Sequence, residues 1–108
     1  MRIPMSSPDI SQAEINAVNE VLTTQWLALG PKMDQFEGAF SAYTGSKHSV
    51  AVNSGTSGLH LTMITAGVGP GDEVITPSFS FIASANCVLY ERATPVFVDI
   101  DPLTGNID

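Results

Sequence analysis

The sequence predicts an α/β protein built on a mostly parallel sheet with helices on both of its faces, and three observations predict it. From residue 48 onward, short apolar runs rich in Val, Ile and Thr alternate with longer segments of helical spacing. The strand-like runs are too far apart for hairpins, so each return crosses over through a helix, and such crossovers are right-handed. The first 45 residues carry helix signals and no strand signal, so two helices precede the sheet.

Each element has its own warrant. Ser11-Gln12-Ala13-Glu14 reads as a capping box, with the Ser11 hydroxyl accepting from the Glu14 amide and the Glu14 carboxylate returning to the Ser11 amide. A helix over 12–23 follows, with Ile15, Val18 and Leu22 on one face. Pro31 suits the first position of a second helix, Gly45 suits its left-handed end, and Met33, Phe36, Phe40 and Tyr43 form a stripe that the helix is expected to bury. "HSVAVN" is read as a first strand, "TSGLHLTMITAGV" as a helix apolar on most faces, "GPGD" as a turn and "EVITP" as a second strand. "SFIASANCVLYER" is then a helix, "TPVFVDI" a third strand and "DPLTGN" a closing turn that includes Asp101, while Asp99 marks the strand end. The boundaries expected are a helical segment over 1–45 and a strand-helix-strand-helix-strand unit over 46–108. A sheet of three strands leaves apolar surface uncovered, so the sequence is expected to be the front part of a longer chain.

Composition narrows the function. The 108 residues carry a net charge of −7 with four Lys and Arg, which argues against a nucleic-acid surface and against an anionic membrane. A single cysteine, Cys87, and no leader-like start point to a cytoplasmic setting. His48 and His60 have no second ligand at useful spacing, so no metal site is expected, and His60 is read as a packed residue hydrogen-bonded locally.

The stretch "AVNSGTSGLHL" asks for a ligand. In an open parallel sheet, ligands sit beyond the carboxyl ends of the strands, where 53–58 would lie. Helix-start amides lack intrahelical partners and carry the positive end of the macrodipole, and glycine lets a ligand approach the backbone. A phosphate suits that place without Lys or Arg, and Ser54, Thr56 and Ser57 can add hydroxyl donors. Helix capping by Ser54 and Thr56, with the glycines only turning the chain, accounts for the same residues. "GVGPG" follows a helix and precedes a strand, the reverse of a dinucleotide fingerprint, "GSK" lacks the earlier glycine of a P-loop, and "GTSGL" brings its second glycine one residue early for a nucleophile elbow.

The blocks "IPMSSPDISQAEINAVNEVLTTQWLALGPKMDQFEGAFSAYTGSKHSVAVNSGTSGLHL" and "GVGPGDEVITPSFSFIASANCVLYERATPVFVDID" resemble, in order and spacing, the amino-terminal part of the DegT/DnrJ/EryC1/StrS sugar aminotransferases. The resemblance implies a pyridoxal-phosphate (PLP) enzyme of the aspartate-aminotransferase fold, with this chain as the amino-terminal part of the large domain. It implies that Gly55, Thr56 and Ser57 hold the cofactor phosphate and that Phe81 stacks on the pyridine ring. It implies transfer of an amino group from an amino acid donor such as glutamate to a nucleotide-linked keto-sugar, and a homodimer. The lysine that carries the cofactor and the carboxylate that faces its ring nitrogen belong to later motifs, so no catalytic residue is expected in these 108 residues and the chain alone is expected to be inactive. A dehydratase with histidine in place of that lysine, a regulatory relative and a stand-alone phosphate-binding module are the other readings.

Overall fold

A computed structural model describes residues 6–108. The chain divides into two compact units, Met1–Ala51 and Val52–Asp108; the first five residues of the expected helical segment lie outside the described residues.

The amino-terminal unit holds α1 (Gln12–Thr23) and α2 (Pro31–Thr44). The capping box is present: Ser11 Oγ accepts from the backbone of the first turn, and the Ser11 amide donates to Glu14 Oε2 over 2.6 Å. The hydrogen bond from the Ser11 hydroxyl, then that from the Ser11 amide, holds the Glu14 carboxyl below its ordinary value. Pro31 opens α2, and Gly45 closes it at φ 73°, a left-handed conformation that glycine adopts without strain. The expectation that α2 buries its aromatic stripe is not met within the unit. Phe36 and Phe40 lean on each other with ring centroids 6.1 Å apart, but both are exposed, and Tyr43 is 90% exposed. Neither helix has a buried residue, because two helices and a short tail of chain in this unit do not enclose these faces.

The expected strand over 48–53 is a second correction. No sheet ladder forms there, and the Ala51 amide instead donates to Glu37 Oε1 of α2 over 2.7 Å. A strand exists by pairing, and among the described residues this segment has no partner strand.

The carboxyl-terminal unit contains α3 (Gly55–Thr65), β1 (Glu73–Pro77), α4 (Ala83–Tyr90) and β2 (Thr94–Val98). The two strands pair in parallel, with Ile75 opposite Val96 and Pro77 opposite Val98. The Gly67–Asp72 turn is closed by Asp72, whose carboxylate accepts from the Gly69 amide over 2.8 Å. Helix α4 packs on both strands and on α3. Its Val88 and Cys87 are the most buried side chains and form a small core with Ala93, against which Met63, Val68 and Val74 pack. Val74 and Thr76 lie on the strand face turned to α4, whereas Ile75 on the opposite face is open. After β2 the chain makes a bridge that the sequence reading does not contain, Ile100 antiparallel to Ile107. Asp101 builds the intervening turn, its Oδ1 accepting from the amides of Leu103 and Thr104 at 2.7 and 2.8 Å. Asp99 likewise serves the backbone, accepting from the Ile100 amide.

Candidate functional site

The start of α3 is organised by side chains from just before it. Ser54 is the N-cap, and its hydroxyl accepts from the Ser57 amide over 3.1 Å. The Ser57 hydroxyl donates to Asn53 Oδ1 over 2.7 Å and lies 3.0 Å from the Ser54 hydroxyl. Ser57 therefore spends both its amide and its hydroxyl on the cap. The amides of Gly55 and Thr56 meet no acceptor among the described residues, so the positive end of α3 is presented by these two groups. Both the capping role and the presence of open donors hold at once, on neighbouring residues.

Gly55 has an ordinary backbone conformation, and a Cβ placed there would meet nothing within 4 Å. The fold of the described chain thus makes no use of the missing side chain. A cradle kept clear beside open amides is what a phosphoester requires, because its oxygens approach the main chain to hydrogen-bonding distance.

The second part of the site comes from the turn that enters α4. The Phe81 carbonyl accepts from the Ser84 amide over 3.0 Å, and Ser80 and Ser84 share a hydroxyl hydrogen bond of 2.7 Å. This bonding fixes the backbone while the Phe81 ring stays 76% exposed, outside the Val88 core. A cleft of about 590 Å³ brings Gly55, Thr56 and Phe81 together, with Gly58, Thr62 and Ser84 also on its wall. Ser57 is not on that wall. The cleft thus joins a main-chain anion seat to a flat apolar surface, and could take a phosphorylated aromatic ring.

Lys32, in α2 of the other unit, meets Glu20 at 3.4 Å. Among the described residues no cluster of His, Cys, Asp or Glu could hold a metal ion, and no helix is long and apolar enough to cross a membrane. The sequence reading misses the partner of His60. Its Nε2 lies 2.6 Å from Glu91 Oε1, a contact across 31 residues and between helices, not a local one. The sequence signal was available only as a His on α3 and a Glu at the end of α4, which spacing alone does not pair.

The sequence pattern of the DegT/DnrJ/EryC1/StrS aminotransferases matches residues 8–108. The chain belongs to this family. Among relatives, it is 51% identical over 98% of its length to the spore coat polysaccharide biosynthesis protein SpsC of Bacillus subtilis, and 48% identical over 99% to the GDP-perosamine synthase of Caulobacter vibrioides. It spans 27% and 29% of those proteins. A solved structure named for a sugar aminotransferase, Spr1654 of Streptococcus pneumoniae in its PLP form, superposes on the whole chain with a TM-score of 0.89 at 42% identity, over 28% of its own length. The α/β architecture expected of a PLP aminotransferase is therefore the one observed.

Proposed function

We propose that this chain belongs to a PLP-dependent sugar aminotransferase, in which Gly55, Thr56 and Ser57 hold the cofactor phosphate and Phe81 lies on its pyridine ring. The carrying observation is the single cleft that joins the open amides of Gly55 and Thr56 to the exposed Phe81 ring. The family and the similarity to a PLP-form structure support reading the phosphorylated ring as PLP. The names of two relatives, a spore coat polysaccharide biosynthesis protein and a GDP-perosamine synthase, support a sugar substrate; we take it to be a nucleotide-linked keto-sugar, with an amino acid such as glutamate as donor.

Pyridoxal phosphate supplies an electron-poor ring that stabilises negative charge on the carbon exchanging its amino group. The chain's own residues hold and orient it. The Gly55 and Thr56 amides donate to the phosphate dianion, and the Thr56 hydroxyl adds a third donor. Ser57 acts chiefly by holding the cap that aims those amides. The Phe81 ring fixes the plane of its ligand and keeps water from that face. Lys32 is engaged with Glu20, and we assign neither it nor Lys47 to proton transfer. That role falls to a lysine outside these residues, so the isolated chain is inactive. The complete protein acts as a cytoplasmic homodimer.

The test is PLP titration of the full-length protein, followed by absorbance, with Thr56→Val and Phe81→Ala beside the wild type. Affinity should fall in both variants, and glutamate plus a nucleotide-linked keto-sugar should give an amino sugar. Wild-type affinity in both variants would refute the site assignment, and loss of water from the sugar without amination would refute the reaction.

A further inference from the structure

The cleft has two walls carried by different helices, and one side-chain contact ties those helices together. Helix α3 contributes no fully buried residue, its packed neighbour among the described elements of this unit is α4, and its Met63 packs against the small core. Among the described residues of this unit, the bond between His60 Nε2 and Glu91 Oε1 is the one side-chain hydrogen bond that joins two elements. His60 is four residues beyond Thr56, on the same face of α3. Glu91 is the C-cap of α4, the helix whose entry turn carries Phe81. The Tyr90 ring meets the imidazole edge-on at a centroid distance of 5.1 Å, which limits how the imidazole turns. The two side chains are about a third and a quarter exposed, and neither lines the cleft.

We propose that His60 and Glu91 are a positioning pair, a tether outside the cleft that sets the amino end of α3 against Phe81 and so tunes how the site grips a phosphorylated ring. The proposal rests on the cofactor reading given above. Because neither residue lines the cleft, removal of the pair acts through the spacing between the Gly55 and Thr56 amides and the Phe81 ring. Both contacts are then no longer satisfied by one rigid ligand at once.

The test uses the full-length protein, with PLP as the probe, and reads both the dissociation constant and the induced circular dichroism of the bound chromophore. His60→Ala and Glu91→Ala should each weaken PLP roughly tenfold and reduce the dichroism, and the double variant should be no worse than either single one, as coupled partners require. His60→Gln, which keeps a donor at similar reach, should restore most of the affinity, although it does not restore an imidazole. A merely structural role would lower the unfolding midpoint in all variants without this pattern of rescue. Full affinity in His60→Ala and in Glu91→Ala overturns the tether, provided Thr56→Val has lost binding in the same series. A wild-type protein that takes up no PLP overturns the cofactor reading and the tether with it. Should His60→Ala fail to fold, Glu91→Gln and His60→Gln decide the matter, since an uncoupled pair predicts independent effects.

Discussion

Replacing Gly55 by alanine separates what the fold needs from what a ligand needs. The residue is the first of α3, it has no positive φ, and the added Cβ would meet nothing within 4 Å. Alanine is the better helix former by up to about 1 kcal/mol in a helix interior, and by less at the first position, so the Gly55→Ala protein should be as stable as wild type or slightly more stable. A phosphate with one oxygen held about 2.9 Å from the Gly55 amide would, in contrast, bring its remaining oxygens against the new methyl group. Relief of that contact forces the dianion away from one of its two amide donors, and the loss of one charge-assisted hydrogen bond, about 1.5 kcal/mol or more, corresponds to at least a tenfold weaker affinity. Urea denaturation of the full-length protein measures the first quantity, and PLP titration followed by absorbance measures the second. Wild-type affinity in Gly55→Ala would refute the claim that a ligand approaches this backbone, and a stability loss above about 1 kcal/mol would refute the claim that the fold leaves the position free.

Other outcomes follow from the same structure. Val88 is 1% exposed in the small core, so Val88→Ala should destabilise the protein by about 2 kcal/mol in urea without changing the denaturant slope. Arg92 follows the α4 C-cap at φ 59°, where a side chain is strained, so Arg92→Gly should add roughly 0.5–1 kcal/mol of stability. The Asp101 carboxyl is held below its ordinary value, first by the Thr104 amide and then by the Leu103 amide. Its contribution to the turn is therefore fully present above the unfolded-state aspartate value and lost as pH falls through the depressed one. The Leu103 and Thr104 amide NMR signals should titrate with a midpoint below that of an unstructured aspartate, and Asp101→Asn should abolish that titration.

What was legible in the sequence was local chemistry. Ser11 and Glu14 mark the start of α1, Pro31 and Gly45 bracket α2, and "EVITP" is β1 to the residue, because each signal is decided within a few positions of backbone. Relations across space were less legible. The segment 48–53 has the composition of a strand, but composition does not supply a partner, and the Ala51 amide went to Glu37. The stripe from Met33 to Tyr43 has the period of a buried face, yet period does not provide the surface that buries it. The bridge between Ile100 and Ile107 depends on the Asp101 turn bringing two isoleucines together, with Gly105 at φ 70°, and no alternation announced it. At the candidate site, helix-start chemistry pointed to Gly55 and Thr56 from the residues alone, whereas Phe81 came from the resemblance; the cleft that holds all three is a property of the α3 and α4 packing.

The chain's single thiol also makes it self-reporting. Cys87 is 2% exposed and bonded through its Sγ to the Ser84 carbonyl, one turn from the Phe81 corner. An alkylating reagent reaches it only when α4 lifts from the strands, so the modification rate of this one sulfur clocks the breathing of the unit under native conditions. Any molecule that clamps the α4 entry turn should slow that clock, with no dye or engineered label required.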